Sequence, residues 1–304
     1  MRSSLRLVPL LLGALGCASA APAVPAAQSP APVAAGVGPA PSAPVPVVVT
    51  DATRLTELPI EERADFVEAF EREQVSGTIA IFDSTTKTLS CSDVERCRRV
   101  HPPASTFKIA NSIIALETGV VDDAGTILPW DGKQYPVQDW NQDLALRDAI
   151  RVSCVPCFQS IARKVGEARM REWVTKLDYG NRDIAGGIDQ FWLRGALRIS
   201  PVQELDFVRR LDLAQLPVRE LVRETVIDMI TLDVGPEHVL RGKTGFQPGP
   251  PETELVGWFV GWIERGSQHV YFATALDGHQ KDVDFMKARR RVTEHVLEKL
   301  GLLP

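Results

Sequence analysis

The chain has 304 residues, 44% of them hydrophobic and 24% charged, with a formal net charge of −5. Charges of both signs are spread along it, with no basic stripe of the kind that tracks nucleic-acid phosphates. The histidines His101, His238, His269, His279 and His295 form neither H-x-H nor H-E-x-x-H, which leaves a metalloenzyme without its usual signature.

The first segment, "MRSSLRLVPLLLGALGCASA", carries Arg2 and Arg6, an apolar run from Leu7 to Leu15, and then Ala18-Ser19-Ala20. This order predicts a secretory signal peptide over 1–20, cut after Ala20. Its apolar run is shorter than the about 20 residues a membrane-spanning helix needs, and no later run reaches that length. "ALGC" is an imperfect lipoprotein cleavage site, which makes Cys17 the candidate for a lipid anchor. Residues 21–52 are mostly Ala, Pro and Val, a composition that builds no core and reads as a disordered linker. Residues 53–304 suffice for one domain with a sizeable core. Of the cysteines beyond Cys17, sequence proximity favours pairing Cys91 with Cys97 and Cys154 with Cys157. Zinc binding by the four is disfavoured, because they lack paired C-x-x-C spacing.

Within the domain, "PIEERADFVEAFEREQV" has helix period, with Phe66, Ala69 and Phe70 on one face. "GTIAIFDSTTKTLSC" reads as two strands around a turn at Ser84-Thr85-Thr86. Pro102 and Pro103 are expected to hold the chain extended into a helix that Ser105 opens, that runs to about Glu117 and that Gly119 ends. A helical middle follows, in "LALRDAIRVS", "FQSIARKVG", "ARMREWVTKLD", "PVQELDFVRRLDLAQL" and "RELVRETVIDMI". The end is strand-like in "HVLRGKTGF", "ELVGWFVGWIE" and "HVYFATALD", with a last helix over "DVDFMKARRRVTEHVLEKL". The expected fold class is α+β: a central antiparallel sheet built from both ends of the domain, flanked by helices, with an inserted, mostly helical subdomain.

Chemistry concentrates in three places. Ser105 and Lys108 form S-x-x-K, which on a helix puts both on one face. A serine at a helix N-terminus sits where backbone N–H groups favour negative charge, and a lysine among Phe107, Ile109, Ala110, Ile113 and Ile114 is a base once burial has made it neutral. Alone, the pattern is equally that of an N-capping serine and a snorkelling lysine. The second place is "RGKTGF", which sets Lys243 and Thr244 on an edge strand able to bind a carboxylate, with Gly245 letting substrate lie alongside. The third is Ser153, at the end of "LRDAIRVS". No G-x-S-x-G elbow is present, and S-x-x-K followed by K-T-G is the order of penicillin-recognising serine enzymes.

With those motifs in place, the chain resembles class D (oxacillinase-type) serine β-lactamases over nearly all of residues 60–304. "PASTFKIANSIIALETGV" is similar to that family's nucleophile helix, "SCV" at 153–155 to its S-x-V motif, "YGN" at 179–181 to its Y-G-N motif, and "KTGF" at 243–246 to its third box. "GGIDQFWLRGALRIS" and "VGWFVGWIE" match two further stretches. The resemblance implies hydrolysis of the β-lactam ring of penicillin-type antibiotics, with Ser105 as the acylated nucleophile. It makes Lys108 an N6-carboxylysine and the general base of acylation and deacylation, drawing on carbon dioxide or bicarbonate and on no metal or other cofactor. Ser153 would relay a proton to the lactam nitrogen, tuned by Lys243. Val155 and Trp192 would wall the carbamate pocket, the Trp192 indole N–H donating to it. The backbone N–H groups of Ser105 and Phe246 would form the oxyanion hole, and Thr244 and Arg289 would hold the substrate carboxylate, with Arg290 and Lys287 as nearby alternatives to Arg289. Tyr179-Gly180-Asn181 reads as a structural turn. The implied partner is a small β-lactam, not nucleic acid, and the chain would act as a monomer or homodimer. Export is implied too, to the periplasm in a bacterium, with Cys17 as the lipoprotein alternative. Two relatives compete: a β-lactam sensor that stays acylated and a D,D-peptidase. Both resemble S-x-N at the second box, where this chain has Val155, so the hydrolase reading is preferred.

Overall fold

The computed structural model describes residues 49–247, 255–277 and 284–304. The expected signal peptide, Cys17 and all but the last few linker residues lie outside these. In chain order the elements are β1 (Glu61–Glu62), α1 (Val67–Arg72), β2 (Ser76–Asp83), β3 (Thr88–Cys91), α2 (Val94–Arg98), α3 (Lys108–Glu117), β4 (Ile127–Leu128), β5 (Leu144–Ala145), α4 (Leu146–Arg151), α5 (Val155–Val165), α6 (Glu167–Lys176), α7 (Pro201–Asp212), α8 (Glu220–Met229), β6 (Thr231–Val234), β7 (Val239–Gln247), β8 (Val256–Arg265), β9 (Gln268–Asp277) and α9 (Phe285–Lys299).

Seven strands form one sheet in the order β1-β3-β2-β9-β8-β7-β6. Its two halves come from the two ends of the domain, as the sequence pattern implies. One pairing departs from the antiparallel expectation: β1 runs parallel to β3, Glu61 opposite Ser90. Every other pair in the sheet is antiparallel. β6 is a strand the sequence pattern did not signal, because "TLDV" exposes Leu232 and Val234 at the sheet edge and has no buried alternation.

Side chains alternate across the sheet, and both faces are covered. Ile79, Ile81, Phe259, Phe272 and Leu276 pack under α1 and α9 with Phe66, Phe70, Ala288, Val292 and Val296. Ala80, Phe82, Trp258, Val260, Trp262 and Ala273 face the helical insertion, in one core with Phe107, Ile113 and Phe158. This two-sided burial explains why "VGWFVGWIE" reads as a continuous apolar run. α7 lies on the insertion side of the sheet, started by a Ser200–Gln203 capping box and a proline in its first turn. Cys91 pairs with Cys97 and Cys154 with Cys157. Among the described residues, no helix is long and apolar enough to cross a membrane.

Candidate active site

The nucleophile segment begins differently from the expected extended entry and single helix. Pro103 is helical (φ −67°, ψ −22°), Ala104 takes a positive φ of 51°, and a 3-10 turn over Ala104–Phe107 precedes α3. Proline fixes φ but not ψ, so two prolines do not by themselves keep a chain extended. Ser105 therefore sits inside the turn, and Lys108 is the first α-helical residue. The segment is pinned from outside: His101 exchanges backbone hydrogen bonds with Ile199, the Trp258 indole donates to the Pro102 carbonyl at 2.9 Å, and the Ala104 N–H donates to the Trp192 carbonyl at 3.0 Å.

Lys108 is fully buried, and its Nζ donates to Ser105 Oγ at 2.7 Å. The ring of Phe158 lies 5.4 Å from that nitrogen, and no carboxylate pairs with it among the described residues. Burial alone pushes the amine down to about 7, so a large neutral fraction exists near neutral pH.

Ser153 occupies the loop between α4 and α5 with φ 56°, a left-handed conformation that non-glycine residues seldom adopt. The loop is clamped on both sides: Trp140 Nε1 donates to the Val152 carbonyl at 3.0 Å, and Cys154 begins the Cys154–Cys157 bridge. Lys243 Nζ donates to Ser153 Oγ at 3.1 Å and to the Thr244 carbonyl at 2.8 Å. Burial first, then the charges of Lys108 and Arg289, hold the Lys243 amine well below the ordinary lysine range.

β7 is an interior strand along Val239–Arg241, where β6 covers it, and an edge strand only beyond that point. Its Lys243–Phe246 half lies between β8 and the Ser105 turn. A Cβ at Gly245 would come within 3.1 Å of the Pro103 carbonyl and of Thr106. Close approach of strand and turn thus accounts for that glycine before any substrate is considered. Among the basic residues of α9, Arg289 turns inward and its guanidinium donates to the Gly245 carbonyl. Arg290 pairs with Glu294 and Lys287 with Asp284, so the three candidates separate cleanly. Burial brings the Arg289 guanidinium down to about 10.

Trp192 is fully buried and stacked on Phe107, the residue before Lys108, with ring centroids 5.5 Å apart. Its Nε1 is a buried donor with no partner among the described residues. Val155 opens α5, one turn before Phe158.

The chain matches the penicillin binding protein transpeptidase domain model over residues 69–300. It is 38% identical to the β-lactamase OXA-10 of Pseudomonas aeruginosa over 245 residues, 80% of this chain and 91% of that one. It is 34% identical to the β-lactamase OXA-48 of Klebsiella pneumoniae over 77% of this chain and 87% of that one. A solved class D β-lactamase, YbXI from Nostoc, superposes with a TM-score of 0.75 at 39% identity, covering 78% of this chain and 99% of that one. The chain belongs to the class D β-lactamases. Another structure of the class, FUS-1 (OXA-85) from Fusobacterium nucleatum subsp. polymorphum, gives a TM-score of 0.76 at 33% identity over 80% of this chain.

In this class D chain, folding gathers Ser105, Lys108, Ser153, Lys243 and Arg289 through the contacts above, from four separate stretches of sequence. Tyr179-Gly180-Asn181 is the corner expected of it. Gly180 has φ 55° where a Cβ would strike the Arg198 carbonyl, and the Asn181 side chain bonds Ala196 and Arg198. Sequence reasoning missed two residues. Phe158 beneath Lys108 was legible only as a helix-face aromatic. Glu204 behind the Ser105 turn was hidden as one more acidic residue on an amphipathic helix.

Proposed function

We infer that the protein hydrolyses the β-lactam ring of penicillin-type antibiotics by a serine acyl-enzyme route and so confers resistance to them. The observation that carries this reading is the buried, carboxylate-free Lys108 amine 2.7 Å from Ser105 Oγ. Ser105 Oγ gives up its proton on the Lys108 side as it attacks the lactam carbonyl carbon. The backbone N–H groups of Ser105 and Phe246 receive the developing oxyanion, a role supported by the close approach of β7 to the turn. As the C–N bond breaks, Ser153 delivers a proton to the lactam nitrogen, held for that task by Lys243. Thr244 and the inward-turned Arg289 hold the substrate carboxylate. Water then attacks the ester and releases the ring-opened acid.

A carboxylated Lys108 is part of this reading. It is supported by a buried amine beside the Phe158 ring and by the indole donor of Trp192, stacked on the neighbouring Phe107 and without a partner among the described residues. When bound, carbon dioxide would convert the Lys108 amine into a carbamate, a stronger hydrogen-bond acceptor that would serve as base in both half-reactions. Trp192 Nε1 would donate to it, while Val155 and Phe158 would keep water from it.

Action outside the cytoplasm is part of the same proposal. The predicted signal peptide supports it, and so do two disulfides, which persist in oxidising compartments. The test is steady-state hydrolysis of benzylpenicillin and oxacillin by purified protein, with and without added bicarbonate. Turnover that bicarbonate increases is expected. A stable acyl-protein with no turnover would overturn the hydrolase in favour of a sensor.

A further inference from the structure

We propose that Glu204 is a positioning residue of the catalytic turn: a buried carboxylic acid that, in its neutral form, fixes the Thr106–Pro103 link and thereby the aim of Ser105. This rests on Ser105 being the acylated nucleophile. The argument is a count of hydrogens. Thr106 Oγ1 lies within hydrogen-bond distance of two acceptors, the Pro103 carbonyl at 2.8 Å and Glu204 Oε1. Tyr179 Oη lies 2.9 Å from the same Glu204 oxygen. Thr106 Oγ1 and Tyr179 Oη also lie 3.5 Å apart, at the outer limit of a hydrogen bond; the three shorter contacts need three hydrogens, whereas the threonine and tyrosine hydroxyls bring one each and the carbonyl none. The third must sit on Glu204. Thr106 then donates to Pro103, Glu204 donates to Thr106, and Tyr179 donates to Glu204.

The other carboxyl oxygen points the same way. Glu204 Oε2 is buried without a partner among the described residues, tolerable for the carbonyl of a neutral acid and costly for half of a carboxylate. No cation faces it among the described residues. Lys108 is directed at Ser105, Arg209 at the carbonyls of Thr50, Asp51 and Thr53, and Arg210 at Asp206. Tyr179, pushed well up first by burial and then by Glu204, stays protonated. Burial correspondingly lifts the Glu204 carboxyl to about 7, against the bonds that Thr106 and Tyr179 would offer its ionised form.

Ionisation would undo the link in two ways. The Thr106 hydrogen would turn to the carboxylate, leaving the Pro103 carbonyl with only the Thr106 N–H at 3.2 Å at the entrance of the turn. It would also put an anion against the residue next to the nucleophile, opposing the oxyanion of the attack. Glu204→Gln keeps the donation to Thr106 at every pH through its amide nitrogen, while the Tyr179 hydroxyl, which donates to Glu204 in the wild type, there accepts from that nitrogen.

The test is the pre-steady-state acylation rate with a chromogenic cephalosporin for wild type and Glu204→Gln from about pH 6 to about pH 9. Lys108 titrates in both proteins and cancels in their ratio. The ratio of variant to wild type is expected to rise about 10-fold across that range, centred near the ionisation of Glu204. A ratio independent of pH overturns the proposal. Ser105→Ala separates the two assignments. If that variant is still acylated, the nucleophile assignment falls and this inference with it. If acylation needs Ser105 and the ratio is flat, only the role of Glu204 falls. Should Glu204→Gln fail to fold, wild type answers alone by infrared difference spectroscopy. Loss of a protonated-carboxyl stretch between pH 6 and pH 9 supports the assignment, and its absence at pH 6 overturns it.

Discussion

Two regions of this molecule bury ionisable side chains, and they do so by opposite means. Behind the nucleophile, Lys108 and Glu204 are fully buried without a counter-ion among the described residues, and each is driven by burial toward its neutral form, both to about 7. Two residues along α7 from Glu204, Asp206 is equally buried but is clamped by Arg210 and Arg54 and accepts the Leu55 N–H at 2.9 Å. The paired cluster ties the start of the domain to α7 through its ion pairs. The unpaired groups stand beside the turn that carries Ser105. A buried charge with complementary partners serves architecture; a buried group denied them becomes a proton donor or acceptor at physiological pH.

The largest test of this contrast removes the base. Lys108→Ala should keep slow acylation and lose deacylation. Acyl-protein would then accumulate in mass spectra and turnover would fall by about 10²- to 10⁴-fold. Turnover at the wild-type rate would show that Lys108 is not the base. Next come two substitutions expected to move stability in opposite directions. Asp206→Ala strands Arg210 beside the carbonyls of Leu177 and Asp178 and should destabilise the fold by about 3 kcal/mol in urea titrations. Lys108→Met, in bicarbonate-free buffer, should stabilise it at pH 6 by about 2–5 kcal/mol. The sign follows from a base whose folded pKa is depressed from 10.5 to about 7. Its penalty is fully present below pH 7 and fades as pH rises toward the unfolded value, so the advantage of methionine should shrink over that interval. A lysine that stabilised the fold at pH 6 would break the contrast. The smallest effect belongs to the pocket wall. Val155→Asn should lower activity about 10-fold and weaken its response to bicarbonate. Unchanged kinetics would count against a dry pocket.

How much of this was legible varied by element. Most strands and helices followed from periodicity and turn residues, because their burial is regular: β2 is buried along its middle in a sheet covered on both faces, and α3 is buried along all but its last residue. β6 escaped because an exposed edge strand needs no apolar pattern. The 3-10 turn at Ser105 escaped because the bonds that make it come from distant residues, Trp258 and Trp192. Arg289 was preferred over Arg290 and Lys287 by resemblance alone, and what the fold adds is that its guanidinium meets β7 while the other two pair with Glu294 and Asp284.

By itself, the sequence determined the local chemistry: a serine and a lysine three apart, a K-T-G strand, Ser153 before an apolar valine, and the order of helices and strands that carries them. Spacing along a chain encodes which side chains share a face, so those pairings survive without knowledge of the fold. Only the tertiary structure decided protonation and aim. Whether Lys108 is an ammonium or an amine, and whether Glu204 is a carboxylate or an acid, depends on which distant groups share its pocket. Desolvation is a property of the surroundings, and α7, Tyr179, Trp192 and Phe158 reach those surroundings only when the chain has folded.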